Sequence, residues 1–265
     1  MPAYTDTDQR LHLVCQVIAK ANRTFVPRRD DDSHTNLAFD AVGDRILGRW
    51  ISAPAGPRML AFHLGDQAYQ WLGAKGEVLL AVPASGKRSA EAEMALVPAF
   101  REAGLAGAGF TEPLHYQVTD YPFAADPFAV FNAADLDAWR HYRTVGQIAC
   151  GSVLSHVGAS GEPRIWPHHF DTGVYAELPS GLGLGFGWAM EDAMAGEPYL
   201  YASGYRNGKM LAVNDFAPLT HGRWVGTEHW KGALLPLSAL PKPGQGDGSV
   251  IVFSFIEQAV LALQA

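Results

Sequence analysis

Cysteine is nearly absent: Cys15 and Cys150 are the two in 265 residues. Two thiols so far apart build neither a disulfide scaffold nor a CxxC metal pair, so a packed core must hold the fold. Positive charge is also scarce. Lys and Arg number 20 against 27 Asp and Glu, a net charge of −7. The nearest thing to a basic cluster, Arg28 and Arg29, runs straight into Asp30, Asp31 and Asp32. A chain without a basic patch makes a poor partner for a phosphate backbone, and nucleic acid is not expected. No uncharged run approaches the roughly 18 apolar residues of a membrane helix. The opening MPAYTDTDQR carries acids where a secretory leader would be apolar. These absences point to a soluble, cytoplasmic protein with no membrane partner. Missing as well are the phosphate-loop pattern G-x-x-x-x-G-K-[ST], the zinc-helix pattern H-E-x-x-H and the nucleophile elbow G-x-S-x-G.

What is present is an ordinary globular composition, 48% hydrophobic and 18% charged, on a chain long enough to bury a real core. Residues 6–22 read as an amphipathic helix, with Leu11, Val14, Cys15, Ile18 and Ala19 at helical spacing. Extended segments follow near 35–42, 45–52 and 58–64, and the run 77–83 precedes a helix over 89–104. Ser89 is placed to cap that helix, with Glu91 and Glu93 in its positive first turn. The second part repeats this order. A helix over 132–157, with Asn132 as N-cap, leads into extended segments near 164–178, 181–189 and 197–206. The run 231–237 then precedes a closing helix from 249, whose first residues also read as strand. A gapless shift that sets residues 14–40 on 145–171 matches Phe39 with Phe170 and Asp40 with Asp171. The fold expected is therefore α+β: two similar helix–strands–helix halves, a candidate tandem duplication, with helices packed on mostly antiparallel sheet. The chain reads as one domain of two pseudo-repeats, about 6–110 and 132–265, connected by 111–131.

The richest chemistry lies in RIWPHHFDTG, residues 164–173. If this stretch is strand, side chains alternate, and His169 shares a face with Asp171. A His and a carboxylate so placed are the first part of a two-histidine, one-carboxylate iron site, which His221 or His229 would complete. The metal set is then His169, Asp171 and His229, and the cofactor a divalent metal. Against that, H-x-D is common by chance, and Asp40 takes the place of Asp171 in the first half with no histidine beside it. An Asp that recurs without its co-ligand reads as structural. Next, Gly181, Gly183, Gly185 and Gly187 alternate with Leu182, Leu184, Phe186 and Trp188. A bare strand face marks close approach by a helix, a second sheet or a ligand, and a helix is expected here. Aromatic and acidic residues follow. Trp188, Tyr199, Tyr201 and Trp230 are candidate ligand-binding residues, able to line a pocket for a polar organic molecule. Glu197, extended before Pro198, and His229, on a likely strand beside Glu228, are candidate members of a polar cluster.

The order HHFD, then GLGLGFGWAMED, EPYLYASGY and TEHWKGALLP, resembles an uncharacterised bacterial family known only as a domain of unknown function. The resemblance covers mainly residues 164–237 and implies relatives, with no substrate, cofactor or chemistry to carry over. The reading that results is a small-molecule-binding protein or enzyme with catalytic candidates His168, His169, Asp171, Glu197 and His229. One alternative is an iron-oxygenase-like metal site. The other is a non-catalytic structural or interaction module.

Overall fold

A computed structural model describes residues 2–265. Among the described residues the chain forms four α-helices and two antiparallel sheets, of five and seven strands, with helices packed on the sheets. The α+β class expected from the pattern is the class found. The chain divides into two compact units: an N-terminal unit of Asp6–Trp139 with Ile165–Phe170, and a C-terminal unit of Arg140–Arg164 with Asp171–Ala265, joined by the chain up to Thr5.

The N-terminal unit takes most of α1 (Pro2–Phe25), then a five-stranded meander: β1 (Ala38–Asp40), β2 (Arg45–Leu47), β3 (Met59–His63), β4 (Ala68–Leu72) and β5 (Val78–Pro83). Strand β4, AYQWL, did not stand out in the sequence because all five residues are buried, which removes the alternation that marks a half-exposed strand. Leu11, Val14, Cys15, Ile18 and Ala19 of α1 are all fully buried, as their spacing predicts. The Tyr69 hydroxyl of β4 donates to the Val14 carbonyl at 2.9 Å. Helix α2 (Ser89–Glu102) closes the unit, Phe100 packing edge-on to Trp71. Its cap differs from expectation. Arg88 is the N-cap, and its N–H donates to the Glu91 carboxylate at 2.7 Å, while the Ser89 hydroxyl turns to Glu93. Glu93 is buried and takes its ion pair from Lys20 of α1 at 2.7 Å, which spares the unit an unpaired buried carboxylate. The segment 111–131, read from sequence as a connection, packs inside this unit. Arg23 donates to the carbonyls of Glu112 and Pro113 there, and to that of Gly109 just before it.

The C-terminal unit follows the same order of helix, antiparallel strands and helix. Helix α3 (Ala133–His156) begins as expected, with the Asn132 side chain accepting the Ala134 N–H at 2.9 Å. The strands are β6 (Arg164–Trp166), β7 (Asp171–Glu177), β8 (Leu182–Ala189), β9 (Tyr199–Arg206), β10 (Lys209–Met210), β11 (Arg223–Gly226) and β12 (Lys231–Pro236). Within the unit they run β11-β12-β9-β8-β7, with β10 on β9; β6 lies where the chain passes from one unit to the other. The closing helix α4 (Ser249–Gln264) is helical from its first residue. Among the described residues no helix is long and apolar enough to cross a membrane.

Candidate functional site

The stretch 164–178 is not one strand. Strand β6 ends at Trp166, residues 167–170 form a turn, and β7 starts at Asp171. The alternation that put His169 and Asp171 on one face is therefore broken by the turn. Phe170 explains the break: it is a fully buried aromatic with φ of 54°, in the left-handed region that bulky side chains avoid. Its ring lies 5.3 Å from His12 at 14° and 6.3 Å from Trp139 at 23°, stacked on both. The turn is also held by its backbone. The Pro167 carbonyl accepts from His12 Nε2 at 2.8 Å and from Gln16 Nε2 at 2.9 Å. A carbonyl can only accept, so Nε2 of His12 carries the hydrogen of that bond. On its other side, Nδ1 of His12 meets the Tyr121 hydroxyl at 2.9 Å.

Two imidazoles stand on this pinned turn. His168 is half-buried and His169 exposed, with ring centroids 4.4 Å apart. From His168 a line of rings continues through Tyr116, at 5.8 Å, to His115, 5.2 Å further on. His115 Nε2 lies 2.8 Å from the Asp32 carboxylate, and Asp32 itself has φ of 57°. The Tyr116 hydroxyl donates to Gln16 Oε1 at 3.0 Å. Burial, reinforced by the charge of Asp32, raises the Tyr116 phenol well above its ordinary value, so it remains a donor. His34, buried in the same unit, is pushed below the usual histidine range by desolvation; Asp32 opposes that shift and His115 adds to it. The cluster thus draws on the first half of the chain, which the sequence reading left out. One signal was available: Asp8, His12 and Gln16 recur every four residues on α1, and all three are buried beside the apolar stripe.

The remaining predicted residues lie in the C-terminal unit, mostly in internal bonds. Asp171, half-buried, accepts the Tyr201 hydroxyl at 2.7 Å. Asp40, its counterpart in the repeat, accepts the N–H groups of Val42 and Gly43 in a turn, so the matched aspartates have different partners. Tyr199 donates to Asp192 at 2.7 Å, and Asp192 closes a turn by accepting from Met194 and Ala195. Burial raises both tyrosines' pKa, with the neighbouring carboxylates adding to it. Glu197 sits just before β9, as the proline implies, and accepts from the Ser238 N–H and hydroxyl at 2.6 and 2.8 Å. Trp188 is a core residue: it is fully buried, its indole N–H donating to the Tyr4 hydroxyl at 3.1 Å. Glu228 and His229 are exposed on the turn between β11 and β12, where a strand was expected. Trp230 closes that turn, its N–H donating to the Thr227 hydroxyl at 2.9 Å.

The bare glycine face also differs from expectation. Helices α3 and α4 pack on the opposite face, the one bearing Leu182, Leu184, Phe186 and Trp188: Phe186 meets Phe255 of α4 at 6.3 Å. The glycine face is filled from neighbouring strands. A Cβ on Gly187 would lie 2.6 Å from the Tyr201 hydroxyl, one on Gly185 would lie 2.9 Å from Ser203 Oγ, and Tyr175 lies over Gly183. Aromatic side chains covering cross-strand glycines stabilise sheets that would otherwise lack packing there.

Among the described residues no three His, Cys, Asp or Glu side chains are grouped to hold a metal ion. The set of His169, Asp171 and His229 is accordingly not assembled. Both cysteines are buried outside any disulfide among the described residues, and burial raises the Cys150 thiol, which keeps it protonated. Compared with known proteins, the chain matches no family model, no curated protein and no solved structure.

Proposed function

We propose that the protein binds a small molecule bearing an acidic oxygen group, a carboxylate or phosphate, through His168 and His169. The observation that supports this reading most is the backbone at Phe170. A bulky residue at φ of 54° costs on the order of 1–3 kcal/mol and persists only where its surroundings over-determine it. Here the strain lies directly beside one exposed and one half-buried imidazole, on a turn that three α1 and α3 side chains hold in place. Binding groups fixed by a rigid supporting layer lose little entropy when a ligand arrives. An imidazole offers one N–H when neutral and two when protonated, which suits an oxyanion. Asp171 and Glu197 already accept from Tyr201 and Ser238, so the reading rests on the histidines. If the bound molecule reacts, His168, beside Tyr116, is the group placed to move a proton.

The test is a titration with acetate and with inorganic phosphate, followed through the imidazole ¹⁵N–¹H signals. Signals of His168 and His169 are expected to move together and saturate. His169→Ala should weaken binding by about tenfold while leaving thermal stability nearly unchanged, since the side chain is exposed. Signals that stay still with both anions would sink the reading.

A further inference from the structure

A second recess lies wholly inside the C-terminal unit and shares no residue with the histidine turn. It is a cavity of about 180 Å³ between α3, the start of α4 and the loop that precedes α4. Its inner wall is apolar and buried: Ala149 of α3, Val252 of α4 and Leu240 of the loop. Its rim carries two hydrophobic side chains that remain in water, Ile148 at 57% exposure and Phe253 at 47%. The loop, PKPGQGDG over 241–248, explains why the space is not filled from within. Three of its eight residues are glycine and two are proline, so it brings few side chains to pack inward. Native interiors rarely leave voids larger than a water, and an engineered apolar cavity of about 150 Å³ stays dry and takes up benzene.

The polar groups at the recess define what else a ligand would carry. The Tyr142 hydroxyl donates to the Pro241 carbonyl at 3.4 Å, which leaves its oxygen able to accept. The Asp247 carboxylate is exposed and accepts the Ser249 N–H at 2.8 Å and the Ser249 hydroxyl at 2.9 Å. Those bonds hold it in its charged form, below the usual carboxylate range. His141 stands at the same edge, its ring edge-on to Tyr142 at 5.0 Å. The recess therefore offers one fixed negative charge, beside a hydroxyl and an imidazole that can each accept as well as donate.

We propose that this recess is a binding site for a single ring-sized apolar group carrying an amine or hydroxyl head, with Ile148 and Phe253 covering the ring and Asp247 facing the head. A carboxylate head on the same ring is disfavoured by Asp247.

Benzylamine, benzyl alcohol and benzoate share one ring and differ in the head, so they are the probes. With the methyl groups of Val145, Ile148 and Val252 labelled, benzylamine and benzyl alcohol should shift these signals with dissociation constants on the order of 1 mM, as befits so few atoms. Benzoate should bind about fivefold more weakly than benzylamine, the scale of one exposed charge contact. Asp247→Asn should erase the preference for the amine over the alcohol and leave alcohol binding intact. Ile148→Ala, an exposed change at the rim, should weaken all three several-fold without unfolding the protein. Methyl signals that stay fixed up to the solubility limit of the probes, or benzoate binding as tightly as benzylamine, would overturn the proposal.

Discussion

Helices α1 and α3 are each 24 residues long and each leads into an antiparallel sheet, yet they hold their surroundings by different means. Helix α1 turns polar side chains inward. Asp8 accepts the Trp139 indole N–H at 2.8 Å, and His12 and Gln16 hold the Pro167 carbonyl. Asn22, fully buried, donates to the carbonyls of Thr35 and Asn36 and accepts the Arg49 N–H. These partners belong mainly to irregular backbone, whose N–H and C=O groups have no sheet ladder to satisfy them. Helix α3, within the C-terminal unit, turns small residues to the sheet instead: Gly146 meets Trp188 of β8, and Cys150 Sγ lies 3.9 Å from the Phe186 carbonyl. Its buried Arg143 is the contrast, donating to the Thr172 hydroxyl at 3.0 Å. Where α1 meets loops it uses hydrogen bonds, whereas where α3 meets β8 it uses shape. The histidine turn is among the loops that α1 holds, which is how a strained backbone persists there.

The sharpest way to break this contrast is at Gly146. A Cβ there would lie 2.7 Å from Cβ of Trp188, closer than real contacts allow, and a tight 3.1 Å from its Cγ. Gly146→Val should cost about 3 kcal/mol in urea unfolding, the upper range for overpacking a tight core. A loss below about 0.5 kcal/mol, the usual scale of a surface change, would mean that α3 moves freely and that close approach is not what holds it. A smaller effect separates the two units by pH. Burial lowers the His34 pKa from the ordinary 6.5, with Asp32 and Asp31 raising it and His115 and Arg28 lowering it. The unfolded chain takes up a proton as pH falls through 6.5, and the folded chain does so only at lower pH. Stability from this group is therefore complete above 6.5 and is lost as pH falls below it. The urea midpoint should drop between pH 7.5 and 5.5, and His34→Asn, which keeps an acceptor for the Arg29 N–H, should flatten part of that drop. An identical pH profile in the variant would remove His34 from the account.

Much of this architecture is legible from spacing alone. Every helix lies within a few residues of where spacing puts it, because the apolar stripe of α1 and the Asn132 cap of α3 are local signals. The candidate site was legible only in part. Residues 164–173 drew attention for their histidines, but nothing local marks the turn at 167–170: Phe170 takes positive φ because His12 and Trp139, 158 and 31 residues away in sequence, enclose its ring. Tyr116 and His115 sat in a segment that composition marks as connection, and only packing brings them to His168. The glycine run was legible as a bare strand face, yet what covers it depended on register. Pairing of Gly187 with Tyr201 sets the tyrosines on that face and leaves the other for the helices.

That register supplies the last test, on the sheet side of the comparison, and its conservative variant is the mildest change of all. Tyr201 has two separable functions: its ring covers Gly187, and its hydroxyl donates to Asp171 at 2.7 Å. Burial and the Asp171 charge raise the phenol's pKa, so the donor keeps its proton throughout the working range of pH. Tyr201→Phe removes the hydroxyl and keeps the ring. It should cost about 1 kcal/mol, the net scale of one hydrogen bond with a half-solvated acceptor. Tyr201→Ala removes both, uncovers Gly187 and should cost about 2 kcal/mol, below the scale for deleting a fully buried aromatic because Tyr201 is half-buried. The difference between the variants measures the ring's cover of the glycine face. Equal losses would assign all of Tyr201's contribution to Asp171, and the β8 glycines would then need another reason to be there.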